Sequence, residues 1–258
     1  KTPQGRALFG GVAAHALSTF GRPMSASVGT ALICACHRFG WAVADLAGDR
    51  LPARVARAYR RYRHGPGAFK VDFAVEGGVP WTNQACRRAG TVHCGGSFEE
   101  VAAAERDVNC GRMPARPFVL VAQQYLADPE RSSADVHPVW SYAHVPSGYD
   151  GDAEQALIDQ IERFAPGFRE RIVATAVRTP AELEAHNENY VGGDIITGAN
   201  TPVQVLIRPR LALDPYSTGI PGVFICSAAT PPGAGAHGMN GYNAAQSALR
   251  YLRTRTTE

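Results

Sequence analysis

The chain predicts an α/β fold in which an antiparallel sheet is backed by helices and joined to a C-terminal strand, glycine-rich loop and helix. Three observations predict it. Residues 69–75 (FKVDFAV) alternate apolar and polar side chains, the period of a half-buried strand. Residues 152–164 (DAEQALIDQIERF) carry apolar positions at helical spacing behind an acidic start. Residues 221–250 place an apolar run before a stretch rich in Gly and Ala, then a helical pattern.

Each element follows in chain order. Residues 7–20 and 25–41 are small and apolar and predict two packed helices. Residues 51–64 predict an amphipathic helix, with Pro52 near its first turn, where proline is favoured. Ala53, Val55, Ala56 and Tyr59 are its expected inner face and its arginines the outer one. A strand over 69–75 is followed by the turn-rich EGGVPW, then a short strand over 91–94. A helix is expected over 97–108, where Ser97 with Glu100 three residues on fits a capping box. Two more strands are expected over 118–125 and 139–145. The helix over 152–164 is broken by Pro166-Gly167, and 172–177 suits a last strand. A short helix over 179–185 precedes a Gly- and Asn-rich loop over 187–199. Residues 203–213 are expected partly extended, 223–226 (VFIC) as a strand, and 238–253 as the closing helix.

Composition narrows the function classes. The 258 residues are 45% hydrophobic and 19% charged, as in a chain with a packed core. No apolar run approaches the roughly 20 residues of a membrane-spanning helix, and the basic, mildly apolar N-terminus lacks the layout of a signal peptide. Net charge is +3, which makes no case for a nucleic-acid partner. Of the 26 basic residues only Lys1 and Lys70 are lysine; the densest arginine run, at 54–64, suits a solvated helix face. Cys34 and Cys36 sit too close together for the usual zinc-ligand pair, and Cys86, Cys94, Cys110 and Cys226 are scattered. Reduced thiols, a cytoplasmic location and no structural metal are expected.

The chemistry concentrates in residues 221–250. Gly233, Gly235, Gly238 and Gly241 remove side chains where backbone must approach something closely. A helix N-terminus after such a loop offers free N–H groups and a positive dipole end, suited to a phosphate or an electron-rich ring edge. Spacing alone fits equally a turn that lets the helix pack on its strand. Pro221-Gly222-Val223-Phe224-Ile225-Cys226-Ser227, Thr230, Gly233-Ala234-Gly235-Ala236-His237-Gly238-Met239-Asn240-Gly241-Tyr242 and Ala244-Ala245 together resemble the C-terminal flavin motif of the phytoene desaturase-like FAD oxidoreductases, nearest the subgroup of pyridine nucleotide-disulfide oxidoreductase domain proteins. Residues 189–195 (NYVGGDI) and 65–72 (GPGAFKVD) resemble two further family segments.

The resemblance implies FAD as cofactor and hydride transfer from an apolar substrate to the flavin. Ser227, Ala228, Thr230, Gly233, Gly235 and Ala236 would lie along the cofactor, with His237, Gly238 and Met239 lining its isoalloxazine ring. His237 is the candidate catalytic residue, with a helix cap as the alternative. Asp194, Tyr190 and Trp140 are substrate-side candidates. Trp140, Tyr142 and His144 share one strand face and suit either packing or the substrate side. Residues 1–64 would form a helical segment and 65–185 the sheet of the substrate domain; 186–258 would be the C-terminal part of the FAD domain.

Family members open with a G-x-G-x-x-G turn for the ADP pyrophosphate and a later acidic residue for the ribose. Gly10-Gly11 and Gly95-Gly96 lack that spacing, and Gly233-x-Gly235-x-x-Gly238 has no acidic residue at the required distance. Residues 40–52 also resemble two family positions that normally lie further apart. The expected object is an incomplete or split enzyme, or a remnant that contacts a complementing chain or itself. Its isolated form is expected to purify colourless, with FAD held weakly or not at all.

Overall fold

A computed structural model describes residues 47–235 and 237–255, so the helices expected over 7–20 and 25–41, together with Cys34 and Cys36, lie outside the described residues. The chain forms two units, one of residues 66–186 with 190–195, the other containing 47–65, 187–189 and the C-terminal segment from 196.

The first unit is built on a five-stranded antiparallel sheet, confirming the α/β class. Its strands are β1 Gly67–Glu76, β2 Thr91–Cys94, β3 Val119–Ala122, β4 Val136–Val145 and β5 Ile172–Arg178, in the order β2-β3-β4-β1-β5. β1 and β4 pair over their whole length, from Gly67 opposite Val145 to Glu76 opposite Val136. Strand alternation gives the sheet two unlike faces. Phe69, Val71, Phe73, Val75, Val119, Val121, Val139 and Val145 point to the core, where Leu157, Ile158 and Ile161 of α3 (Glu154–Glu162) meet them. Full burial of each such side chain is worth about 1.5–3 kcal/mol. The opposite face carries Lys70, Asp72, Trp140, Tyr142 and His144, all half-buried.

The capping box at α2 (Phe98–Asn109) is present: Glu100 N donates to Ser97 Oγ at 3.3 Å, and Ser97 N donates to Glu100 Oε2 at 2.9 Å. β3 is shorter than expected. It stops at Ala122 because Gln123 turns inward, where its buried amide accepts from Trp81 Nε1 at 3.0 Å and donates to the carbonyls of Cys86 and Ala89. The unit closes with α4 (Pro180–His186) and a tight turn at Val191–Gly193. Gly67 is required beside that turn, because a Cβ there would lie 2.7 Å from the Gly192 carbonyl oxygen.

In the second unit, α1 (Ala53–Arg60) is shorter than the expected 51–64. The chain leaves the helix for tertiary partners: Arg63 N donates to Gln204 Oε1 at 3.0 Å, and Tyr62 donates its hydroxyl proton to Thr197 O at 2.9 Å. Val55 and Ala56 are buried as expected, whereas Ala53 is exposed and Tyr59 half-buried. Residues 203–213 were expected partly extended, and their start instead lies in a helix, α5 (Pro202–Leu206). Thr201 caps it by accepting from Gln204 N, and Pro202 takes the first helical position, where its missing N–H costs nothing. The strand expected at 223–226 reduces to one antiparallel bridge, Ser217 with Phe224, because no further segment among the described residues pairs with it. The chain ends in α6 (Met239–Arg255). No helix among the described residues is long and apolar enough to cross a membrane.

Candidate functional site

The glycine-rich loop between Phe224 and α6 is held by its own polar side chains. Ser227 Oγ accepts from Ala229 N at 2.9 Å, and the Ser227 carbonyl accepts from Thr230 N at 2.8 Å and Thr230 Oγ1 at 2.7 Å. Gly233 N then donates to Thr230 O at 2.9 Å. From the first turn of α6, Asn240 Nδ2 reaches back to Thr230 O at 2.7 Å and Pro231 O at 3.3 Å. Tyr216 donates its hydroxyl proton to Pro231 O at 2.9 Å. Thr230 is fully buried at the centre of this net. Ser227, Ala228, Thr230, Gly233, Gly235, His237, Gly238 and Met239 thus lie on one short, internally bonded segment running into a helix N-terminus; Ala236 lies outside the described residues.

The glycines of this loop do different work. Gly233, at φ +108, is buried, and a Cβ there would lie 3.1 Å from Nη1 of Arg208. At Gly235 a Cβ would meet the His237 ring at 2.6 Å. Gly238, at φ +64, has nothing among the described residues within 4 Å of where a Cβ would stand. Two of these positions therefore make room for the protein's own side chains. The third leaves open space at the start of α6.

His237 is exposed, and its Nδ1 accepts from Met239 N at 3.0 Å. It caps the helix, which leaves Nε2 as the nitrogen that can face a ligand. No acidic residue stands in the first turn of α6, so the positive end of this 17-residue helix is not compensated by its own first turn.

Arg208 escaped the sequence reading. It is only 3% exposed. Its Nη1 donates to Ala228 O at 3.1 Å, its Nη2 to Asn200 Oδ1 at 3.1 Å and its Nε to Gln204 O at 3.3 Å. The one signal was a charge inside the apolar run VQVLIRPRLAL. Asn240 and Tyr216 were also missed, since no local pattern marks a side chain that reaches ten residues back or fifteen forward.

The other candidates lie in the sheet unit. Asp194 is fully buried after Gly192 and Gly193, which have φ of 63° and 82°. A Cβ at Gly193 would meet Pro180, and one at Gly192 would meet Ser147, so this turn packs against α4 and the end of β4. Tyr190 is half-buried at its start. Trp140 stacks on Tyr142 with ring centroids 6.0 Å apart, and Tyr142 stacks on His144 at 5.9 Å. His144 Nδ1 shares a 2.7 Å hydrogen bond with Glu105 Oε1 of α2. Burial raises the pKa of the Tyr142 phenol, which therefore stays neutral on this face. Lys70 and Asp72 pair beside the rings, opposite Tyr142 and Trp140 in register. Among the described residues no group of three His, Cys, Asp or Glu side chains could hold a metal ion.

The loop fits a flavin dinucleotide by the chemistry of its donors. A buried guanidinium and an uncompensated helix N-terminus suit negative charge, and the space at Gly238 admits a ring edge. No family model matches the chain. Over 98 residues it is 34% identical to the pyridine nucleotide-disulfide oxidoreductase domain-containing protein 2 of Mus musculus, covering 38% of this chain and 17% of that protein. The protein of the same name from Rattus norvegicus is 33% identical over 98 residues, with the same two shares. The matched stretch is thus less than a fifth of the length of either relative.

Proposed function

We propose that this chain is part of an FAD-dependent oxidoreductase of the phytoene desaturase-like group, incomplete or split, acting on an apolar substrate in the cytoplasm. The observation that carries the reading is the segment 227–239, a self-bonded glycine loop that delivers open space and an uncompensated helix N-terminus at Gly238. The partial similarity to proteins named as pyridine nucleotide-disulfide oxidoreductase domain proteins supports an oxidoreductase of the same kind. When bound, the flavin would supply the hydride acceptor.

The chain's own residues would bind and orient. Ser227, Ala228, Thr230, Gly233, Gly235 and Ala236 would follow the ribityl and phosphate portion. His237, Gly238 and Met239 would face the ring, with the His237 cap fixing the helix start. In the sheet unit, the stacked Trp140 and Tyr142 would offer a flat surface to an apolar substrate and keep water from it. Tyr190 and Asp194 would belong to the same substrate side.

A second reading, a partner-binding subunit without flavin, is favoured by one observation. Leu206, Leu211 and Leu213 are 82%, 83% and 109% exposed within eight residues, an apolar surface of the kind that marks contact with another chain or a second copy. Titration of the chain with FAD separates the readings. Quenching of flavin fluorescence together with a raised thermal midpoint supports the oxidoreductase; neither change, with concentration-dependent self-association by sedimentation, supports the subunit.

A further inference from the structure

Among the described residues, no opposite charge neutralises the guanidinium of Arg208. A guanidinium holds five N–H donors. Three are spent on Ala228 O, Asn200 Oδ1 and Gln204 O, all uncharged acceptors, and no carboxylate pairs with Arg208 among the described residues. Moving an ion out of water costs several kcal/mol unless an opposite charge repays it, so buried arginines ordinarily sit on a carboxylate or a phosphate. Here the guanidinium lies directly under the glycine loop. The cover over Nη1 is Gly233, followed by the exposed Ala234 and Gly235, a stretch without bulky side chains.

We propose that Arg208 is the cationic half of an anion site in the glycine loop, taking the phosphate or pyrophosphate of a dinucleotide. The assignment rests on the flavin reading for the identity of the dinucleotide, and on the unpaired buried charge for the anion itself. Two N–H donors remain, one on Nη1 and one on Nη2, the pair of terminal nitrogens from which a guanidinium can meet two phosphate oxygens. Binding would require residues 233–235 to move aside, and glycine at 233 and 235 makes that movement sterically undemanding. Ala228 O and Asn200 Oδ1 keep the plane of the guanidinium fixed meanwhile.

The test uses the full chain with three probes: inorganic pyrophosphate, FAD, and riboflavin, which has the ring and no phosphate. Pyrophosphate at tenfold its dissociation constant should raise the thermal midpoint by about 3–5 °C, and the rise should vanish in Arg208→Gln and shrink in Arg208→Lys. FAD should bind the unmutated chain about tenfold to a hundredfold more tightly than riboflavin, and Arg208→Gln should collapse that ratio. Should Arg208→Gln fail to fold, hydrogen exchange on the unmutated chain still decides: pyrophosphate should slow exchange over residues 228–235. No stabilisation by pyrophosphate, an equal rise in Arg208→Gln, or protection confined to other residues overturns the assignment. Pyrophosphate binding with no riboflavin binding keeps Arg208 as an anion residue and overturns the flavin reading alone.

Discussion

Replacing Gly233 by alanine tests how the loop is built, because Gly238 supplies a matched control. Both glycines have positive φ, +108 and +64, so an added Cβ is strained at either. At Gly238 strain is the main effect: φ lies in the left-handed region and no described residue stands within 4 Å, so the cost should be about 1–2 kcal/mol. Gly233 adds two terms. Its φ lies outside the left-handed well, raising strain to about 2–3 kcal/mol, and the new methyl presses on Nη1 of Arg208 at 3.1 Å. Displacing the guanidinium weakens its charge-assisted bond to Ala228 O, worth about 1.5–3 kcal/mol. Gly233→Ala should therefore cost about 3–5 kcal/mol in urea denaturation followed by circular dichroism, some 2–3 kcal/mol more than Gly238→Ala. Equal costs for the two variants would refute the packing of Arg208 against Gly233.

Other outcomes follow from the sheet unit. The Arg163 guanidinium, the Ser97 amide and Arg116 together hold the Glu100 carboxyl well below its ordinary range, at about 2. A depressed carboxylate stabilises the fold above its unfolded pKa, and that contribution disappears as pH falls from about 4.5 to about 2. The thermal midpoints of the native chain and Glu100→Gln should thus differ at pH 6 and converge at pH 2; a constant gap would contradict the ion-pair account. Burial, with the neighbouring Cys86 second, pushes the Cys94 thiol up to about 12, so native alkylation at pH 8 followed by peptide mapping should label exposed Cys110 and spare Cys94. Leu157, fully buried against the sheet, should lose about 2–5 kcal/mol on replacement by alanine, and a loss under 1 kcal/mol would place α3 outside the core.

The parts of the fold that periodicity specifies were readable in advance. FKVDFAV and VWSYAHV alternate because each presents one face to the core and one away from it, and Ser97 with Glu100 marks a helix start through local hydrogen bonds alone. What escaped depends on distant partners. β3 ends early because Gln123 must satisfy Trp81, Cys86 and Ala89, far from it in sequence. Residues 202–206 coil because Thr201 caps them, although the apolar β-branched run VQVLI resembles a strand. The glycine loop was visible from its composition, yet the reasons for its glycines were not. Gly233 accommodates Arg208 and Gly235 accommodates His237, contacts that no spacing rule encodes. His237 suited a cap or an active site from sequence; its Nδ1 bond to Met239 N shows the cap, with Nε2 left for a ligand.

The central claim is that residues 227–239 receive a flavin. Hydrogen–deuterium exchange of the full chain, with and without saturating FAD, measures this at the loop itself. Slowed exchange across 227–239 and the first turn of α6 is the predicted result. Unchanged exchange there would contradict the claim, as would protection confined to the apolar stretch 203–213.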